Sequence, residues 1–408
     1  MNQKVNGATI ANEIISCFTP WNVFEMEEDQ YRCFGLDSAI AISYENSEKY
    51  VKALQRLFEL DKSIESTYTY DTFERAVADL AYPHVIGQNP IEQSTIDAFL
   101  KELKAAAVQT HEVFRPIMGI KLGYSRLPCV LGPYTLFDTN AHREQLTLGL
   151  SEKQRKLFED DSPTHLIKVI TQAREPAKAL EIADALFERF ERAIRFMLGQ
   201  RISNFEVGIL NYQGLVRKHA IVLSEISGTS ARNKTGPTHP LLIDEPYFTD
   251  PARGFDKIWV NFEKPSTKLS QRLLLAVEWI GQSYGERVPS IAFIKAMVSL
   301  ELLFTPTKGS FITPSIISQL SESVALVVGK DAESRHRIEA KVKRLYQIRS
   351  AIAHAGMTEV KMADLTAIEQ LARNVVMKMF VAPSLNRLSS IDEMFELFKT
   401  MKYSCTSM

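Results

Sequence analysis

Residues 333–356 read ESRHRIEAKVKRLYQIRSAIAHAG. Ile338, Val342, Leu345, Ile348 and Ile352 recur at i, i+4, i+7, i+10 and i+14, the apolar stripe of one long helix. The remaining surface of that helix is basic: Arg335, Arg337, Lys341, Lys343, Arg344 and Arg349. Gly356 offers a C-cap. Helical apolar spacing continues on both sides, over 267–284, 289–304, 313–329, 362–380 and 390–402. Pro289, Pro314 and Pro383 fall at or between element boundaries, where proline is tolerated. Six helices within about 140 residues predict a compact all-α bundle.

Upstream, the periods mix. Residues 94–113 and 175–199 are spaced as helices, the second with Pro176 near its first turn and Gly199 at its end. Residues 117–123 and 133–137 read as strands. So do 205–213 and 215–223, a β-branched and aromatic pair with a turn near Gly214. The strongest breaks lie between residues 227 and 268, where SGTSARNKTGPTHP and DEPYFTDPARG interrupt the pattern. The expected fold class is therefore α+β overall. A mixed α+β domain over residues 1–265 precedes an all-α helical bundle over residues 266–408.

Composition narrows the function classes. The chain has 408 residues, 45% apolar and 24% charged, with a formal net charge of -1. That balance excludes global disorder and nucleic-acid binding by bulk positive charge. Charge is uneven, however. From Ser266 onward 18 Lys and Arg face 13 Asp and Glu, a net of +5, leaving 30 against 36 and a net of -6 before it. No apolar run approaches the roughly 18 residues that span a bilayer. The opening MNQKVNGATIANEIISCF has no basic stretch followed by an apolar one, so no secretory signal is expected. Cys17, Cys33, Cys129 and Cys405 form neither a CxxC pair nor a disulfide framework, as in a reducing cytoplasm.

Several chemistries have no foothold. The chain lacks GxxxxGK[ST], a GxGxxG after a strand, HExxH, GxSxG and clustered Cys/His spacings. No cofactor and no metal site is expected. Its eight histidines are scattered. The carboxylate pairs Glu27-Glu28 and Asp160-Asp161 sit in polar runs and read as solvated faces.

One constellation remains, at the end of the 333–356 helix. Ser350 and His354, four apart, share a face, and the long side chain of Arg349 leans toward the same patch. Structurally, a histidine in a last turn interacts well with the helix dipole. Arg349 then pairs with a carboxylate on a neighbouring helix, with Glu301 in VSLELLF as candidate. Chemically, arginine grips phosphate through a rigid fork of donors. Histidine moves a proton near neutral pH. Together they suffice for metal-free RNA cleavage: one group activates the 2′-hydroxyl, and positive charge stabilises the crowded oxyanion.

The segment LYQIRSAIAHAG, with its Arg-x4-His, resembles the signature of the HEPN superfamily, most closely the ApeA-like HEPN branch. IKAMVSLELLF and SIISQLSESVALVVG resemble that branch's two preceding helices, so the likeness covers roughly residues 268–380. Ser350 stands where many such nucleases have Asn, and Ala355 separates His354 from Gly356. The resemblance implies a four-to-five-helix bundle that homodimerises, with two motifs facing across one cleft. It further implies a metal-independent endoribonuclease in a toxin, CRISPR-linked or anti-phage abortive-infection system. Carried over, Arg349 holds the scissile phosphate, His354 is the general acid or base, and Ser350 orients one of them. Glu301 orients Arg349 or His354, or forms an ion pair without a role in turnover. Tyr346 stacks on a base, or is a packing aromatic. Lys341, Lys343 and Arg344 track the RNA backbone. The substrate class is RNA, with tRNA the family analogy, and a phage-derived trigger or an antitoxin is an expected partner.

Two other readings stand beside it. In one, the bundle only binds RNA, nucleotide or a protein, and the motif is structural. In the other, an unrelated enzyme has its site in the front domain, where Arg232, Lys234 and the amides of the polar stretch 228–239 bind a phosphate. The acidic front domain is expected to gate the basic cleft or to sense the trigger.

Overall fold

The computed structural model describes residues 6–21, 30–34, 40–123, 127–158, 163–201, 206–210, 218–224, 228–234, 239–305 and 316–403. The fold is mixed α+β, with sheets and helices in the N-terminal region and a nearly all-helical C-terminal part. By contacts, residues 1–113 and 170–184 form one compact unit, and residues 114–169 and 185–408 form the other.

The first unit packs helices around a small antiparallel sheet. Strands β1 (Phe18–Pro20) and β2 (Tyr31–Phe34) flank β3 (Ile40–Ser43). Helices α1 (Gly7–Ile15), α2 (Tyr44–Glu59), α3 (Lys62–Glu65), α4 (Tyr70–Gly87) and α5 (Gln93–Ala105) complete it. In α2 the buried residues are Tyr50, Ala53, Leu54, Leu57 and Phe58, one helical face. They meet Ile14, Phe18, Ile42 and Phe73 in one core. Each such fully buried side chain contributes about 1.5–3 kcal/mol relative to exposure. Side chains of Asn6, Asp61 and Thr69 cap α1, α3 and α4.

The helix predicted over 94–113 is shorter. It ends at Ala105, and Gln109–Pro116 forms strand β4. The run AAAVQTHEV carries too little apolar periodicity to fix a helix, and sheet pairing takes it instead. A four-stranded sheet runs in the order β4, β8 (His165–Ala173), β7 (Tyr134–Asp138), β6 (Cys129–Leu131), with the short helices α6 (Arg143–Thr147) and α7 (Glu152–Arg155) between β7 and β8 in the chain. Of the strand predicted at 117–123, only β5 (Ile120–Lys121) forms, paired in parallel with β11 (Leu241–Leu242). Of the expected 205–213/215–223 pair, the second segment is strand from Lys218 onward, while 206–210 is not. Strand β9 (Lys218–Ser224) pairs with β10 (Gly228–Lys234), inside the stretch read as a polar loop. Gly208 instead bridges Met118, and Gly214 with residues 211–217 lies outside the described residues.

Helix α8 (Pro176–Leu198) matches its predicted span, and Gly199 follows at φ +64°. After the unpredicted α9 (Phe255–Glu263) come α10 (Lys268–Gly285), α11 (Pro289–Phe304), α12 (Ile316–Val328), α13 (Ala332–Ala355), α14 (Met362–Val381) and α15 (Ile391–Tyr403). The last six lie where apolar spacing predicts them. Helices α10 and α11 are antiparallel neighbours. Arg272 near the start of α10 donates to the carbonyls of Leu302 and Thr305, and Glu286, just past its end, pairs with Lys295. Helix α14 packs on both. The bundle interior holds Val277, Ile280, Phe293, Met297, Leu300, Val375 and Val376, all fully buried. Among the described residues, no helix is long and apolar enough to cross a membrane.

Candidate functional site

Helix α13 carries every residue of the motif. Asp331 caps its start, accepting from the Ser334 amide, while the Ser334 hydroxyl accepts from the Asp331 amide. Gly356 ends it at φ +65°, a left-handed conformation that glycine adopts without strain. The apolar stripe is seated less deeply than its spacing predicts. Val342 and Leu345 are fully buried, whereas Ile338, Ile348 and Ile352 are half-buried. Helix α13 packs mainly on α12 and also on α11, which cover its middle and leave its last turn open.

Arg349 is half-buried near that end. Its Nη2 donates to Glu301 Oε2 on α11 at 3.3 Å, and its Nε lies 3.0 Å from Oε1 without the alignment of a hydrogen bond. The guanidinium also stands 5.7 Å from the centroid of the Tyr346 ring, one turn back. The side chains of Arg349 and Glu301 are 24% and 19% exposed, so the pair is shielded yet reachable from one side. The structure therefore brings Glu301, Tyr346 and Arg349 together.

Ser350 is half-buried and His354 is exposed. Among the described residues, neither side chain has a hydrogen-bond partner. Among the described residues, nothing orients the His354 ring. The three residues proposed for RNA tracking differ. Lys343 lies 3.6 Å from Glu339, and Arg344 pairs with Asp364 on α14 at 2.7 Å. Lys341 is exposed. Six cations on α13 face Glu333 and Glu339 of the same helix. Glu301 and Asp364 offset two more, so the helix surface keeps a positive surplus.

Sequence reading missed two buried polar clusters. Arg201 donates to Glu369 on α14 from Nε at 3.0 Å and Nη2 at 2.8 Å, and the Ser283 hydroxyl donates to the same carboxylate at 2.7 Å. In the first unit, Arg32 Nη2 pairs with the buried Glu74 at 2.5 Å beside Tyr50 and Tyr70. Burial and the Glu74 carboxylate push the Tyr70 phenol up to about 12. Each pair joins residues far apart in the chain, so no local spacing signals it. The carboxylate pairs Glu27-Glu28 and Asp160-Asp161, and Cys405, lie outside the described residues. Among the described residues, no group of three His, Cys, Asp or Glu is placed to hold a metal ion.

Comparison with models of known protein families, with curated proteins and with solved structures finds no match to this chain.

Proposed function

We propose that this protein is a HEPN-type endoribonuclease whose reaction needs no metal. The observation that carries the reading is the arginine at the open end of α13. Glu301 and Tyr346 hold Arg349 while leaving one side of its guanidinium reachable, and His354 is exposed in the last turn of the same helix. Arg349 binds the scissile phosphate through the donors that Glu301 does not use. His354 takes the 2′-hydroxyl proton, or returns one to the leaving oxygen. The 2′-oxygen bonds to phosphorus, the bond from phosphorus to the 5′-oxygen breaks, and that oxygen leaves protonated. The products are a 2′,3′-cyclic phosphate and a 5′-hydroxyl. Acid and base roles require two groups, and a second copy meeting this end of the bundle supplies the other His354. Ser350 and Lys341 add contacts to the RNA backbone. The biological setting we infer is bacterial anti-phage defence or a toxin-like response in the cytoplasm, with the N-terminal region sensing the trigger or gating the cleft.

The test is cleavage of total RNA and purified tRNA by the full chain in EDTA, beside His354→Ala and Arg349→Ala. Cleavage that leaves cyclic phosphate ends and is lost in both variants is the expected result. Because a gated enzyme is silent alone, the same forms are expressed in cells with and without phage challenge. Identical behaviour of wild type and variants there removes the nuclease reading.

One observation favours a second reading. Glu301 already offsets the charge of Arg349, as in a purely structural ion pair. In that case the bundle is a non-catalytic module that binds RNA, nucleotide or a protein, and RNA binding without cleavage is its signature.

A further inference from the structure

The Arg32–Glu74 cluster of the first unit is built as a box around a guanidinium. Arg32 and Phe34, two apart on the edge strand β2, point to the same side of it. The Arg32 guanidinium stands 4.9 Å from the centroid of the Phe34 ring. Tyr50 of α2 packs on Phe34, with ring centroids 5.7 Å apart. Tyr70 and Glu74, four apart, share a face of α4, and both lie close enough to Tyr50 to act on its phenol.

The box is only partly satisfied. Arg32 donates from Nη2 to Glu74 Oε2, whereas among the described residues Glu74 Oε1 is buried without a hydrogen bond. The Tyr50 and Tyr70 hydroxyls are buried in the same unpaired state. Tyr50 is 1% exposed and Glu74 5%. Burial and the nearby carboxylate push both phenols upward, so both stay neutral. An apolar side chain at position 74, inside the buried stripe of Phe73, Val77, Ala78 and Ala81, would serve the fold as well as this ion pair does. Packing therefore does not account for the carboxylate.

Arg32 is a weak permanent counter-ion, because its side chain is 54% exposed and water competes for it. Tethered to β2, it bonds one carboxylate oxygen. A guanidinium free of that tether can bond both oxygens in the paired geometry that arginine adopts on a carboxylate. The phenol oxygens can accept from its remaining donors. The charge of the unit selects the source of that cation. Residues 1–113 and 170–184 hold 21 Asp and Glu against 11 Lys and Arg, a net of -10. Such a field draws a polycation more strongly than a single charge.

We propose that Phe34, Tyr50, Tyr70 and Glu74 form a binding site for an arginine side chain of a basic polypeptide, and that Arg32 is the resident cation it displaces. The site stands independently of the ribonuclease reading.

The experiment titrates the full chain with a labelled arginine octamer, read by fluorescence anisotropy. A lysine octamer of equal charge and agmatine, a lone guanidinium, run beside it. The arginine octamer should bind at least about fivefold more tightly than the lysine octamer, and about a hundredfold more tightly than agmatine. Glu74→Gln should weaken arginine binding at least about tenfold. Glu102→Gln, the same change of charge at an exposed position on α5, should stay within about twofold. Arg32→Gln removes the competitor and should tighten binding. Tyr50→Phe keeps the ring, removes one unpaired hydroxyl and should weaken binding about threefold. Thermal melting checks each fold, and where an ion-pair variant melts below the parent, Tyr50→Phe decides. Equal affinity for the two octamers, or equal loss in Glu74→Gln and Glu102→Gln, reduces the effect to bulk charge and overturns the site. So does parent-like binding by Tyr50→Phe. Agmatine binding as tightly as the arginine octamer overturns the polypeptide as occupant. None of these outcomes depends on RNA cleavage, so the site and the nuclease reading fail separately.

Discussion

Arg349 on α13 and Glu301 on α11 form a shielded ion pair, with Nε 3.0 Å from Oε1 and Nη2 donating to Oε2 at 3.3 Å. The pair ties the motif helix to its neighbour and fixes the direction from which the guanidinium is approached. Removing either partner strands a charge whose side chain is about four-fifths buried. Glu301→Ala and Arg349→Ala should each destabilise the chain by about 1–3 kcal/mol. The double variant should lose less than the sum of the two, with a coupling of about 1 kcal/mol or more. Urea denaturation of the four proteins checks this, and additive losses would show that the two side chains do not interact.

In the ribonuclease reading, Glu301 is a positioning residue that touches no substrate. Glu301→Gln keeps the shape and one acceptor, so Arg349 stays near its place with a looser orientation. Cleavage should fall about tenfold in kcat with KM nearly constant. Glu301→Asp should recover part of the loss if it reaches Arg349. Single-turnover and steady-state kinetics on one RNA separate these terms. A change confined to KM would instead make Glu301 part of RNA binding.

The Arg201–Glu369 cluster predicts a purely structural effect. Glu369 is 2% exposed and accepts from Arg201 and Ser283. Glu369→Ala leaves Arg201 without its counter-charge, and a loss of about 3–5 kcal/mol is expected. Glu369→Gln, which keeps the hydrogen-bond acceptor, should lose less. Both are read by chemical denaturation, and a change within 0.5 kcal/mol for alanine (roughly the spread of ordinary surface substitutions) would contradict the network.

Gly281 sits where α10 meets α8. A Cβ built there would lie 2.0 Å from the Arg192 carbonyl oxygen, a backbone atom that cannot turn aside. Alanine is the better helix former by about 1 kcal/mol, so propensity alone predicts stabilisation. The close approach predicts the opposite sign, a loss of about 2 kcal/mol or more as the helices separate. The melting temperature of Gly281→Ala decides between them.

His165 supplies a pH prediction. Burial holds its imidazole below the ordinary histidine range, the nearby Asp138 carboxylate opposes that shift, and His142 adds to it. Below the ordinary value the unfolded chain therefore binds a proton that the folded chain refuses. This contribution to stability is present above pH 6.5 and is lost as pH falls toward the depressed folded value. One such proton gives a slope of at most about 1.4 kcal/mol per pH unit. Comparing His165→Gln with the parent at pH 7.5, 6.5 and 5.5 (values set around the ordinary pKa of about 6.5) should show a shallower acid limb in the variant. Parallel limbs would mean that another group governs the acid side.

The C-terminal helices were the most legible part of the chain. Long segments with apolar residues every three to four positions leave few alternatives, and α10 to α15 follow that spacing closely. The boundaries of α8 were equally plain, because Pro176 and Gly199 mark its ends. Short strands were poorly legible. Lys218–Ser224 has the composition of a strand, but its expected partner was 205–213. The polar stretch Gly228–Lys234 pairs with it through backbone bonds that its side chains do not advertise. At the site, Arg349, Ser350 and His354 were visible because they lie within two turns of one helix. The choice of Glu301 as partner needed a guess about which helix packs beside α13.

Periodicity along one helix is a local property, so the sequence by itself determined that six segments between residues 268 and 403 are helical and that Arg349, Ser350 and His354 stand near one helix end. Which charges meet is a tertiary property. It depends on how helices distant in the chain stack to bury their apolar faces. Only the folded chain decided that Arg349 lies against Glu301 and that Arg201 is closed by Glu369. Each of these pairs joins residues that no sequence spacing relates.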